Sequence, residues 1–141
     1  MASKVFLDAN ILLDLTFQRA DYKVAREIMT LVIQGKVQAF VTPAVLHIVG
    51  YWLTKAYTQA RAKEILLGLL NDVRSIDISH DQVVTSLHSA IRDMEDALQY
   101  YTALYYKVDI FISRDKQLKK DAIPALPVYG PEEFLKEFKG I

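Results

Sequence analysis

An α/β fold, a three-layer α/β/α sandwich with a mostly parallel central sheet, is what this sequence predicts, on three observations. Short apolar runs and longer helical stretches alternate along the whole chain, and such alternation builds a parallel sheet covered on both faces. The first run, Val5–Leu7, is apolar at every position, as a strand buried on both sides must be. Helix-start signals stand between these runs: Thr42 before Pro43, then Ser79, Asp93 and Pro131.

The elements follow in order. Val5–Leu7 is the first strand, and NILLDLTF, residues 10–17, begins the first helix. Asp21 caps a second helix whose apolar face is Val24, Ile28, Leu31 and Val32, and Gly35 ends it. Val37–Thr42 is the second strand. Thr42 then caps a helix with Pro43 at its first position, where a missing amide proton costs nothing. Another helix over residues 58–70 carries Ala62, Ile65, Leu66 and Leu69 on one side. VRSIDIS supplies a third strand, Ser79 starts a helix, and Asp93 caps the helix DMEDALQYYTALYYK. VDIFIS is the next strand, RDKQLKKD a basic loop, Pro127–Tyr129 a short strand, and PEEFLKEFK a closing helix that begins at Pro131.

One domain spanning residues 1–141 is expected, because 141 residues at 52% hydrophobic content suffice for one core and are too few for two. The 17 basic and 17 acidic side chains cancel, so no global field draws the protein onto nucleic acid or a membrane surface. A polyanion partner would need a local basic patch. Cysteine is absent, which excludes disulfides and thiolate metal sites, and a cytoplasmic setting is the simplest expectation. The apolar run near the N-terminus is too short for a signal peptide or a membrane span, so neither is expected.

In an open parallel sheet, ligands sit outside the carboxyl ends of the strands, where neighbouring connections diverge. Asp8 directly follows the first strand and Asp115 lies just past DIFIS, so both should project at that edge. Asp93 and Asp96 fall in the first turn of a helix whose amides point the same way. Carboxylates crowded into one cleft repel one another, and a divalent cation removes the conflict. Oxygen-only ligation suits Mg²⁺ or Mn²⁺ better than zinc. Such an ion commonly positions water against a phosphodiester. Each acid also has an ordinary structural role open to it: Asp8 as a polar strand end, Asp96 as a complement to the helix dipole, Asp115 as a turn residue.

Taken together, FLDANILLD, DMEDALQYYTAL and IFISRDK resemble the PIN domain family, nuclease-like domains that include VapC-type toxins of bacterial toxin–antitoxin pairs. The resemblance runs through nearly the whole chain in order and spacing. It implies a parallel sheet with the first strand central, and Mg²⁺- or Mn²⁺-dependent cleavage of RNA phosphodiester bonds by an endoribonuclease, with an antitoxin protein as a partner. It places the family's acids on Asp8, Asp96 and Asp115 as catalytic metal ligands, with Asp93 as an accessory acid. Ser113 stands where the family often has a hydroxyl ahead of its last acid, suited to touch phosphate or water.

The departure lies in the helix after the second strand, where the family usually carries a glutamate in a phrase resembling SxxxxxE. That place is read here as His47, and no acidic residue occurs between Thr42 and Tyr57. Imidazole is a neutral nitrogen that suits Mn²⁺ better than Mg²⁺. Either His47 joins the metal set and activity persists, or the site is weakened and the domain has turned to binding RNA or protein.

Substrate contacts are expected from Ser113, Arg114, Lys116, Lys119 and Lys120, whose hydroxyl and positive charges suit phosphate, and from Asn10, which is also a candidate cap for the first helix. Tyr100, Tyr101, Tyr105 and Tyr106 spread over more than one helix face, so some should reach the surface. A homodimer through that helix, or through the one bearing Tyr51 and Trp52, is expected. A receiver domain does not fit the layout of acids. An aspartyl-nucleophile phosphatase is disfavoured too, because Asn10 stands where its second aspartate would be.

Overall fold

The structure, a computed structural model, describes residues 2–139. Five strands form its sheet: β1 (Ser3–Leu7), β2 (Val37–Val41), β3 (Val73–Ser75), β4 (Ile110–Ile112) and β5 (Val128–Tyr129). They lie in the order β3-β2-β1-β4-β5, and every neighbouring pair is parallel. The central strand is therefore β1, in which Val5, Phe6 and Leu7 are fully buried. Phe6 pairs with Phe40 on one side and Phe111 on the other, and its ring stacks on Phe111 at 4.7 Å.

Around the sheet run α1 (Ala9–Thr16), α2 (Tyr22–Ile33), α3 (Pro43–Ala56), α4 (Gln59–Leu69), α5 (His80–Leu87), α6 (Met94–Tyr105), α7 (Lys116–Asp121) and α8 (Pro131–Lys139). The helices flank both faces, completing the α/β/α sandwich. On one side α1 packs against α2 and α3, and α3 against α4, while α5 packs against α6. These elements share one hydrophobic core. No helix among the described residues is long and apolar enough to cross a membrane.

Local chemistry sets most helix ends. Thr42 Oγ1 accepts from the Val45 amide, with Pro43 in the first turn, and Thr58 does the same for Arg61. Ser79 and Gln82 form a reciprocal capping box on α5. Gly35 follows α2 at φ +75°, a left-handed conformation that glycine adopts without a steric penalty. Asp21 occupies its cap position without a side-chain hydrogen bond to the helix.

Three boundaries differ from the sequence reading. RDKQLKKD is not a loop: from Lys116 it is the helix α7, because Asp115 Oδ1 accepts from the Gln117 and Leu118 amides, and lysine, glutamine and leucine are good helix formers. Asp8 rather than Asn10 caps α1. In VRSIDIS the strand ends at Ser75, and the Asp77 carboxylate takes up the Ile78 amide just beyond it.

The chain leaves β1 toward β2 on one side and returns through β4 on the other. This makes the carboxyl edge between β1 and β4 the point where adjacent connections diverge. There the Asp8 amide still donates to the Ile112 carbonyl at 3.2 Å, so the residue after β1 is locked beside the end of β4.

Candidate functional site

Asp8 is positioned from two directions. Its Oδ1 accepts from the Ala9 amide at 2.7 Å, and its Oδ2 accepts from Ser113 Oγ at 2.8 Å. Ser113 sits just past β4, almost wholly buried, and its Oγ also accepts from the Asp115 amide at 3.1 Å. One hydroxyl thus ties the two strand-end acids together. Asp96 comes from the first turn of α6, where its amide donates to Asp93 Oδ1 at 2.9 Å. Asp8, Asp96 and Asp115 meet Asn10, Arg114 and Glu95 in the walls of a cleft of about 530 Å³.

The electrostatics follow from that crowding. Burial pushes the Asp8 carboxyl up, and nearby Asp115 adds to it, against the opposing bonds from Ser113 and the Ala9 amide. Asp96 is pushed up to about 7, by burial first and then by Asp93, Asp115 and Asp8, with a hydrogen bond to Asp115 that favours its protonated form. Glu95 is raised for the same kinds of reason: burial, then Asp93, then Asp8. At neutral pH the cleft therefore holds part of its negative charge under strain that a cation or a proton relieves.

The fit to a bound metal fails on geometry. Among the described residues no three histidine, aspartate or glutamate side chains are placed to share one ion. The acids are close in pairs, Asp8 to Asp115 through Ser113 and Asp96 to Asp115 directly, without gathering around a common point.

The remaining predicted residues scatter. Asn10 is exposed in the cleft wall, whereas Asp93 acts as the cap of α6 and does not line the cleft. Arg114 lines the cleft but is paired with the buried Asp14 and, at 3.4 Å, with Asp21. Lys119 pairs with Glu133 across to α8, and Lys116, Lys119 and Lys120 all stand on α7 outside the cleft wall.

His47 also lies elsewhere. It is exposed in a groove between α3 and α4, and Ile48 lines the acidic cleft in its place. Counting SxxxxxE from Thr42 ends on Ile48, so the family's glutamate position holds an isoleucine, which cannot ligate a metal. Trp52, four residues on and hence on the same helix face, lines the cleft with it. Glu95 and Arg19 are further cleft residues that the sequence reading missed. Glu95 was signalled by its place beside Asp96 in the capped first turn, whereas Arg19 arrives through the α1–α2 turn, with no local signal.

The PIN domain family model matches residues 4–117. No curated protein matches the chain. Among solved structures it is similar to VapBC2 from Rickettsia felis bound to a DNA fragment from their promoter, with 16% identity, TM-score 0.67 and coverage of 90% of this chain and 98% of that one. It is likewise similar to a toxin–antitoxin complex from Klebsiella pneumoniae, with 23% identity, TM-score 0.68 and coverage of 90% and 97%. At these identities the likeness establishes the fold.

Proposed function

Because this chain belongs to the PIN domain family, we propose that it handles RNA at the acidic cleft as a PIN-type binding module in which phosphodiester cleavage is weakened. The observation that carries this reading is the composition of one wall. Asp8, Asp96 and Asp115 converge, but the helix facing them presents Ile48 and Trp52, and the carboxylates do not surround a common point. An apolar side chain at that position lowers the charge available to a divalent ion and leaves the remaining acids to share protons instead.

A second reading keeps the enzyme: an endoribonuclease dependent on Mg²⁺ or Mn²⁺, the toxin of a toxin–antitoxin pair. The convergence of the family's three acids in one cleft favours it. That reading rests on Asp8, Asp96 and Asp115, with Glu95 a fourth carboxylate in the same cleft wall, and it requires these side chains to draw closer together than they stand here before they could share an ion. An antitoxin-like protein partner belongs to this reading, by likeness to the Klebsiella pneumoniae complex. The exposed Tyr105 and Tyr106 at the end of α6 are the aromatic pair offered to a homodimer contact.

Cleavage and binding of an unstructured RNA with Mg²⁺ or Mn²⁺ separate the two, using the native protein, Asp8→Asn and Ile48→Glu. The binding module predicts RNA bound by the native protein with turnover far below that gained in Ile48→Glu. Native turnover that matches Ile48→Glu and is abolished by Asp8→Asn establishes the enzyme. Neither binding nor turnover in any of the three removes RNA as the partner.

A further inference from the structure

Trp52 is the only tryptophan of the chain, and it stands half exposed where the acidic cleft meets a second groove. That second groove, about 380 Å³, is bounded by Phe17, Arg19, Trp52 and Lys55. Arg19 and Trp52 line both spaces, so the two adjoin. Lys55 in turn lines a third groove of about 460 Å³ between α3 and α4, together with Tyr51 and Lys63. Along this path the charge reverses: the cleft is acidic, while among the described residues no carboxylate lines either of the two following grooves.

The cations are held within reach of the path. Lys55 Nζ lies 4.9 Å from the Tyr51 ring centre and 5.9 Å from that of Trp52, a cation–π arrangement that keeps the ammonium over the aromatic pair. Arg19 leans on Asp14 at 3.8 Å but leaves nearly half of its side chain in water. A surface of cations without carboxylates, interleaved with exposed aromatic faces, suits a flexible polyanion whose bases are free to stack. Duplex nucleic acid hides those base faces, and an acidic helix offers the charge without planar rings.

We propose that single-stranded RNA leaves the acidic cleft across Trp52 and continues along the grooves beside α3, one base stacked on the indole and phosphates set against Arg19, Lys55 and Lys63. The proposal rests on the reading that RNA is what the cleft handles. It assigns the substrate path to α3, away from the lysines of α7.

The test uses the full chain in chelating buffer, so that binding is read without cleavage. A short unstructured oligoribonucleotide should quench Trp52 emission saturably, and a blunt RNA duplex should not. By anisotropy of labelled RNA, Trp52→Ala should weaken binding about tenfold, the loss expected of one stacked base. Lys55→Gln and Lys63→Gln, exposed substitutions that leave the core untouched, should each reduce the slope of log affinity against log salt by about 0.7.

RNA bound by the native protein but equally by all three variants overturns the path and leaves the cleft reading standing. No RNA binding by the native protein overturns both. An acidic helical peptide that occupies the grooves while RNA affinity stays unchanged also overturns the path, in favour of a protein partner.

Discussion

Ser113 Oγ donates to Asp8 Oδ2 at 2.8 Å across 105 residues of chain, and in the same place it accepts from the Asp115 amide. The ends of β1 and β4 are thereby fixed side by side, and with them two of the cleft's acids. Ser113→Ala leaves a largely buried carboxylate oxygen without its donor, a loss of about 2 kcal/mol. Urea denaturation at neutral pH should show a lower midpoint with an unchanged slope. An unchanged midpoint means that water replaces the hydroxyl and the tie is dispensable.

Asp96 links the cleft to stability through pH. Its carboxyl holds a proton up to about 7 in the folded chain, against an ordinary value of 3.8. The folded state therefore binds more protons than the unfolded state between those limits. The stability from this source is complete below about 4 and is lost as pH rises through about 7. Buried Asp8, also raised, acts in the same direction. In metal-free buffer the melting temperature at pH 5 should exceed that at pH 8, and Asp96→Asn should narrow the gap by raising the pH 8 value. A gap left intact in Asp96→Asn assigns the effect to other groups.

How much of this was legible in the sequence depends on the range of the interaction. The strand–helix alternation and the caps at Thr42, Ser79 and Asp93 are decided by residues a few positions apart, and the structure forms those caps as hydrogen bonds. That Asp8 and Asp115 share one edge was also legible, because a parallel sheet sends its strand ends there, whereas the spacing that keeps the acids from gathering around one point was not. His47 failed over a single position: one residue on a helix is a rotation of about 100°, enough to move a side chain into the neighbouring groove. Arg114 could not be placed at all from sequence. Its partner Asp14 sits at the buried face of α1, and the pair forms only when the segment after β4 packs beside that helix.

Arg114 is accordingly predicted to act on stability. Asp14 is nearly inaccessible in its side chain, and Arg114 is its main counter-ion, with Arg19 farther away at 3.8 Å. Arg114→Gln strands a buried carboxylate. The cost should be about 2 kcal/mol, below the ~3–5 of a fully enclosed pair because Arg19 remains. Adding Asp14→Asn should restore part of the loss, since it removes the uncompensated charge, and a double-mutant cycle by chemical denaturation reads the coupling. Additive losses would show that the two side chains act independently.

Tyr100 holds α6 against the approach to β5. Its hydroxyl donates to the Leu126 carbonyl at 2.6 Å and accepts from the Ile123 amide at 2.9 Å, and the residue is fully buried. Its ring lies 5.8 Å from that of Phe111 on β4, so the same side chain braces helix, strand and connecting segment. Tyr100→Phe keeps the ring packing but removes the partner of two backbone groups, which should cost about 2 kcal/mol. Amide exchange should quicken at residues 123–126, where the carbonyl and amide lose their anchor. RNA affinity should hold, because Tyr100 lies a full turn beyond Asp96 on α6 and does not line the cleft. A denaturation midpoint equal to that of the native chain, with unchanged exchange over 123–126, would mean that the hydroxyl's two bonds contribute nothing net and that ring packing alone fixes this corner.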